Sequence, residues 1–342
     1  MQLDISPEEI LKNKEMQGGL IYDEEIISET PKSDLIETTQ DIKESIVLDP
    51  EIISVPKVES SLPPSFELGW KNIPLHILPS RGIFYPEGTR MAIYPAEVNE
   101  IRHYSTIDEE DRLGVEEKLG YILERCLKID FPNAGIVSYK HLKQEDRFFV
   151  IMAIRDLSFV VGENVILLTP NKKCKDTDEC PFSNGIELRT GALDFYELDK
   201  KVLKYYNPKT RSFVFNVKKI NKSIEMFIPS VGINQAITNF MVYANNNSIE
   251  VDEGFIKIAP FLFDDWQKVT NTSILLAFRE SDNWTKEEYS LYFELSEIIK
   301  IGTKLGIKQR CPVCDEEVTA DIAFPFGLRS LFVISDIFGQ LL

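Results

Sequence analysis

The chain has 342 residues, 43% hydrophobic and 11% aromatic, with 55 Asp and Glu against 38 Lys and Arg for a formal net charge of −17. That length suits about two domains with sizeable cores, and the acidity opposes direct nucleic-acid binding, because affinity for a phosphate backbone comes from Lys and Arg displacing counterions. No apolar run approaches the roughly 18–20 residues of a bilayer-spanning helix, the first residues lack a basic segment leading into an apolar one, and five scattered cysteines do not make a disulfide framework. The expectation is a chain that is neither exported nor membrane-embedded, with reduced thiols.

The acidity is concentrated at the head. Residues 1–70 hold 16 Asp or Glu against 5 Lys, a net of −11, which leaves −6 for the other 272 residues. With few aromatics and only isolated aliphatic pairs such as Ile26-Ile27 and Ile52-Ile53, the segment 1–66 buries too little apolar surface to offset its ordering entropy. It reads as a solvated, disordered tail, or as a segment that folds onto a partner with those pairs as anchors.

Order is expected from about Trp70. The clusters Leu78-Pro79-Ser80-Arg81-Gly82 and Pro86-Glu87-Gly88 are turn chemistry between short strands, and 90–94 reads as a strand. Pro95-Ala96-Glu97 opens a helical stretch, and 108–128 places Leu113, Leu119, Ile122, Leu123 and Leu127 at roughly helical spacing. Cys126 lies on that face and reads as a small buried hydrophobe. The run Asp108-Glu109-Glu110-Asp111 is an acidic helix start favoured by the macrodipole. A further helix is expected over 141–156, apolar nearly all round at 148–154.

Residues 157–169 are β-branched and apolar enough for a strand. The turn bearing Cys174 and Cys180 follows, then strand candidates at 186–188 and 212–217. Helices are expected over 233–243, 254–266 and 286–302, before the turn Cys311-Pro312-Val313-Cys314 and a strand over 317–324. The fold class is therefore α+β, short antiparallel strands with helices, divided as a tail (1–66), an α+β domain (67–160) and a second α+β domain (161–342) holding a split cysteine knuckle. No repeat of 20–50 residues is present.

The chemistry-bearing constellation is the cysteines. Cys311 and Cys314 present two sulfurs from a tight turn suited to a tetrahedral ion, and Cys174 and Cys180 offer a looser pair in a similar strand–turn–strand setting. Together they supply the four thiolates that close a structural zinc-ribbon site; a [4Fe–4S] cluster takes the same ligands. Free thiols and a redox pair are the competing readings, the latter disfavoured because Cys311 precedes a strand instead of opening a helix whose N-terminus would lower a thiol pKa. Asp176 and Asp178 would place an acid beside the metal, but four thiolates fill its coordination sphere.

No catalytic residues are identified. His76, His103 and His141 are isolated in sequence and suit surface or turn positions, and there is no GxGxxG, Walker, GxSxG or HExxH motif. The chain reads as a non-enzyme.

The order of features resembles the baseplate hub and hub-assembly family of T-even-type contractile-tailed bacteriophages, over about residues 73–240. The resemblance is carried by Leu78-Pro79-Ser80-Arg81-Gly82, by the strand-to-helix passage Ile93-Tyr94-Pro95-Ala96-Glu97, by the helix Glu145-Asp146-Arg147 through Ile154-Arg155, and by the following cysteine-bearing turn. It implies a structural or chaperone-like role in building a tail baseplate, through contacts with other baseplate or tail hub proteins in the host cytoplasm or in the virion. The alternative is a zinc-ribbon protein acting in transcription or on nucleic acid, which wants a basic groove where only short patches such as Lys200-Lys201 and Lys218-Lys219 are visible. The apolar C-terminus, 324–334 with Ile337, Phe338, Leu341 and Leu342, is either a docking patch or a last element packed on its own domain.

Overall fold

A computed structural model describes residues 68–159, 166–171, 182 and 185–332. Strands β1 (Lys71–Ile73) and β2 (Arg90–Ile93) pair antiparallel, joined by a 3-10 turn at Leu75–Ile77 and a run of further turns in place of the short strands expected there. Helix α1 (Val98–Ser105) starts at a reciprocal cap between Glu97 and Glu100, and α2 (Arg112–Cys126) at Asp111, whose carboxylate accepts from the Gly114 N–H. The expected helix to residue 128 stops at Cys126, because Leu127 and Ile129 pair with Ile93 and Met91 as strand β3 (Leu127–Phe131). Strand β4 (Gly135–Val137) completes a sheet of order β1-β2-β3-β4.

The helix expected from 141 begins later. Residues Tyr139–His141 and Gln144–Asp146 form 3-10 turns, and α3 spans Arg147–Ser158. Here the backbone is committed elsewhere: Lys143 bridges Ser230, and the Leu142 carbonyl accepts from Val231 N–H at 2.8 Å. From Arg147 the apolar run behaves as read, burying Phe149, Val150, Ile151, Met152 and Ile154. Because α3 runs through Ser158, the strand expected over 157–169 shrinks, within the described residues, to β5 (Leu167–Leu168), which pairs with β6 (Ile186–Glu187).

Next come β7 (Phe195–Tyr196), the short α4 (Lys200–Leu203), β8 (Tyr206–Asn207), β9 (Ser212–Val217) and β10 (Lys222–Phe227). The last three form a meander whose inner face, Phe213, Phe215, Ile224 and Met226, packs with Leu295 and Ile299. Helices α5 (Val231–Asn246), α6 (Glu253–Ile258) and α7 (Asn271–Ser281) share a separate core around Phe240, Phe255 and Ile274. Helix α8 (Lys286–Ile298) leads to β11 (Gly302–Thr303), which pairs with β7. The chain ends its described course in the hairpin β12 (Gly306–Arg310) and β13 (Glu317–Asp321), then β14 (Pro325–Leu328).

The architecture is thus mixed, with eight α-helices and small antiparallel sheets among the described residues. The largest core runs from Ile73 to Phe332 and draws side chains from both sides of residue 160. Through Phe332 the C-terminal segment packs on its own chain: Leu328 N–H donates to Glu109, Arg329 Nε donates to the Ile107 carbonyl, and the Phe332 ring meets Tyr104 edge-on. Residues 1–67 and 333–342 lie outside the described residues, and with them the tail and its Ile pairs. No described helix is long and apolar enough to cross a membrane.

Candidate functional site

The Cys311-Pro312-Val313-Cys314 turn sits at the tip of the β12–β13 hairpin, one residue beyond the Arg310↔Glu317 pair. Its closure is specific: Asp315 N–H donates to the Cys311 carbonyl, Cys311 N–H donates to the Glu316 carbonyl, both at 2.9 Å, and Asp315 takes a left-handed φ of 56°. Non-glycine residues adopt that region sparingly, Asp among the more tolerant, so the loop is held by its closing bonds. Cys311 is buried and Cys314 half-buried against the main core.

Cys174 and Cys180, with Asp176 and Asp178 between them, lie outside the described residues, but the chain on either side of them does not. The β5–β6 hairpin brackets the segment. Just before it, Pro170 bridges Ala320 and Asn171 N–H donates to the Thr319 carbonyl at 2.7 Å. The chain at Pro170 and Asn171 therefore meets β13, the strand that follows Cys314. A cleft of about 990 Å³ opens where the two hairpins adjoin, lined among others by Leu167, Phe182, Glu187, Lys308 and Gln309. Among the described residues no group of three or more His, Cys, Asp or Glu is arranged to hold a metal ion.

The remaining cysteine, Cys126, lies in the core as read, its thiol pushed up to about 12, first by burial and then by the Glu100 carboxylate. A thiol so placed stays protonated and unreactive. Of the histidines, His76 is exposed and His103 packs at a tilt against the Tyr121 ring. His141 departs from the surface reading: it is half-buried between the Phe131 and Trp266 rings, and burial lowers its pKa.

A second constellation was not read from the sequence. Asp146 is fully buried, and its carboxylate accepts from Ser80 N–H at 2.8 Å, Ser80 Oγ at 2.7 Å and Tyr85 OH at 2.7 Å. Tyr85 OH in turn accepts from Lys143 N–H at 2.9 Å, and Lys143 Nζ donates to the Ile228 carbonyl at 3.0 Å. The turn that supplies Ser80 needs Gly82, which has φ +76° and whose Cβ would lie 2.6 Å from Leu75 Cβ. Burial raises the pKa of Asp146 and Tyr85 and draws the Lys143 amine down to about 8.

Such shifts are a mark of active sites, but they also mark structural networks. Ser80 and Tyr85 are buried and both bond to buried Asp146, so the cluster clamps the turn after β1 to the start of α3. At the other end of α3, Arg155 is 4% exposed and pairs with Asp156, whose second oxygen accepts from Thr190 N–H. Comparison with protein-family models, with curated proteins and with solved structures gave no significant match.

Proposed function

We propose that this chain is a structural or assembly component of a contractile phage tail baseplate hub, working through protein–protein contacts without turnover. The observation that carries the reading is the Asp146 clamp. Leu78-Pro79-Ser80-Arg81-Gly82 and Glu145-Asp146-Arg147 are separate pieces of the resemblance, 66 residues apart, and they meet at one buried carboxylate. That the two pieces share one buried network supports reading them as parts of a single framework. The chemistry at these positions holds backbone in place, as suits a protein whose task is to present surfaces.

The same proposal includes a closed structural metal centre of Cys174, Cys180, Cys311 and Cys314, with zinc as the ion and a [4Fe–4S] cluster as the alternative. Bound metal would tie the two hairpins together and add to folding free energy, with no open coordination position for catalysis.

Metal content with a visible spectrum, on protein purified without chelator and without oxygen, tests the centre. One colourless zinc per chain is expected; a brown chromophore with about four irons assigns the cluster, and metal-free protein removes the centre. Cys314→Ser is expected to release the metal and lower the melting temperature; an unchanged melting temperature counts against a shared centre. The hub reading is tested separately, by co-purification with identified tail proteins from infected cells, and a chain that remains monomeric there overturns it.

A further inference from the structure

Where β2 ends, the starts and ends of neighbouring elements converge on a small recess. Tyr94 carries the sheet one step further, its N–H donating to the Cys126 carbonyl at 2.9 Å, and Pro95 then turns the chain towards α1, while Arg125 and Cys126 end α2. Trp70 extends the Lys71↔Ile93 register on the neighbouring strand, which sets its ring 5.4 Å from that of Tyr94 at 41°. Gly69 has φ +100°, and a Cβ there would lie 3.0 Å from Tyr94 Cε2, so glycine lets the chain lie close on the tyrosine ring. The result is a recess of about 290 Å³ lined by the Trp70 and Tyr94 rings and by Glu97, Glu100 and Arg125.

Glu100 is the member that calls for a partner. Its side chain is 7% exposed, yet Oε2 accepts only the Glu97 N–H at 3.1 Å, and Oε1 meets Arg125 Nε at 3.4 Å, near the limit of a hydrogen bond, from a side chain that is 61% exposed. A carboxylate has about four acceptor sites, and burying one costs free energy unless it is well paired. Glu97 stands exposed at the rim, so two carboxylates line the recess against the single guanidinium of Arg125. Lys128 Nζ lies over the Trp70 ring, 4.3 Å from its centroid, but Lys128 does not line the recess.

We propose that this recess receives an arginine side chain from a different protein. The chemistry selects a cation, since an anion would meet two carboxylates and an apolar group would leave Glu100 as poorly paired as before. Arginine is selected over lysine because a planar guanidinium stacks on aromatic rings while its forked N–H groups reach a carboxylate. The size selects a single side chain, as about 290 Å³ falls below the roughly 300–1,000 Å³ of pockets that enclose a small-molecule ligand. The head of this chain does not supply the group, because the first arginine of the sequence is Arg81, and a second copy at −17 is repelled by the same charge. One inserted arginine is the kind of anchor around which protein interfaces are built. The inference depends on neither the metal centre nor the hub reading.

The test uses the full-length protein labelled with fluorotryptophan, whose fluorine NMR signals are assigned with Trp70→Phe, Trp266→Phe and Trp284→Phe. Titrated with N-acetyl-Gly-Arg-Gly-amide, the Trp70 signal is expected to move and saturate while those of Trp266 and Trp284 hold their positions. The same peptide with citrulline, which has the shape of arginine without its charge, should bind at least about tenfold more weakly, as loss of a charge-assisted hydrogen bond implies. Glu100→Gln keeps an acceptor for Glu97 N–H, so α1 remains capped, and it should weaken the arginine peptide about tenfold; Glu97→Gln, at the exposed rim, should weaken it about threefold. Free L-arginine should bind less tightly than the peptide, because its own carboxylate meets those of the recess. A Trp70 signal that does not move, a citrulline peptide that binds as well as the arginine peptide, or binding unchanged in both glutamine variants overturns the proposal. So does free L-arginine that binds as tightly as the peptide or more so, which would make the recess a small-molecule site.

Discussion

Replacing Asp146 by alanine removes the acceptor of three hydrogen bonds at once, and leaves Ser80 N–H and the Ser80 and Tyr85 hydroxyls facing a buried hole. A buried donor left without a partner costs about 1–3 kcal/mol, and the hydroxyls can partly reorient, so the loss should be about 3–5 kcal/mol. Against a total stability of about 5–15 kcal/mol this is severe, and it corresponds to a fall in melting temperature of roughly 10 °C for a chain of this size. Asp146→Asn keeps an acceptor for Ser80 N–H and lets Ser80 Oγ accept from the new amide, stranding chiefly the Tyr85 hydroxyl, for a cost of about 1–2 kcal/mol. Urea unfolding followed by Trp fluorescence and by circular dichroism reads both variants. Tyr85→Phe combined with Asp146→Ala should be less costly than the sum of the two, because they break the same bond. An Asp146→Ala protein within about 1 kcal/mol of wild type would refute the clamp, as such a loss is no larger than that of one ordinary hydrogen bond.

Two further outcomes are expected. Burial pushes the Glu145 carboxyl up to about 7, against the pull of Lys300, so the folded chain holds this proton to higher pH than the unfolded chain, which releases it near 4.5. The stability it contributes is then full below about 4.5 and lost as pH rises towards 7, and Glu145→Gln should flatten the melting-temperature profile between pH 5 and 8 and raise stability at the alkaline end. At Gly232 an added Cβ would lie 2.6 Å from Trp266 Cγ and 2.9 Å from Lys140 Cβ, so Gly232→Ala should displace the indole, shift its emission and cost about 1–3 kcal/mol in the same urea assay.

The hairpin that carries Cys311 and Cys314 shows how local pattern and pairing divide the work. The spacing of the two cysteines and the strand after them were legible, because a turn and an alternating strand are written in consecutive residues. Strand β12 before them, Gly306–Arg310, was not read: its alternation is weak, with Ile307 alone deeply buried, and it becomes a strand through its partner β13. Helix α7 was likewise missed, since its start at Thr270 and Ser273 is a capping box without the usual Glu or Gln.

By itself the sequence determined the acidic head, the mixed class of the fold, strand β9 to the residue, the apolar run of α3 and the buried character of Cys126. These follow from composition and from periodicities of two and 3.6 residues, which local sterics and burial enforce wherever the chain goes. Only the tertiary structure decided that α2 yields to a strand at Leu127, that α3 begins at Arg147, and that Ser80 and Tyr85 meet Asp146. It also decided that Pro170 and Asn171 lie beside β13, the strand that follows Cys314. Each of these depends on a partner tens to more than a hundred residues away, and the free energy that selects it, a ladder hydrogen bond or a satisfied buried carboxylate, exists only once the two segments have met.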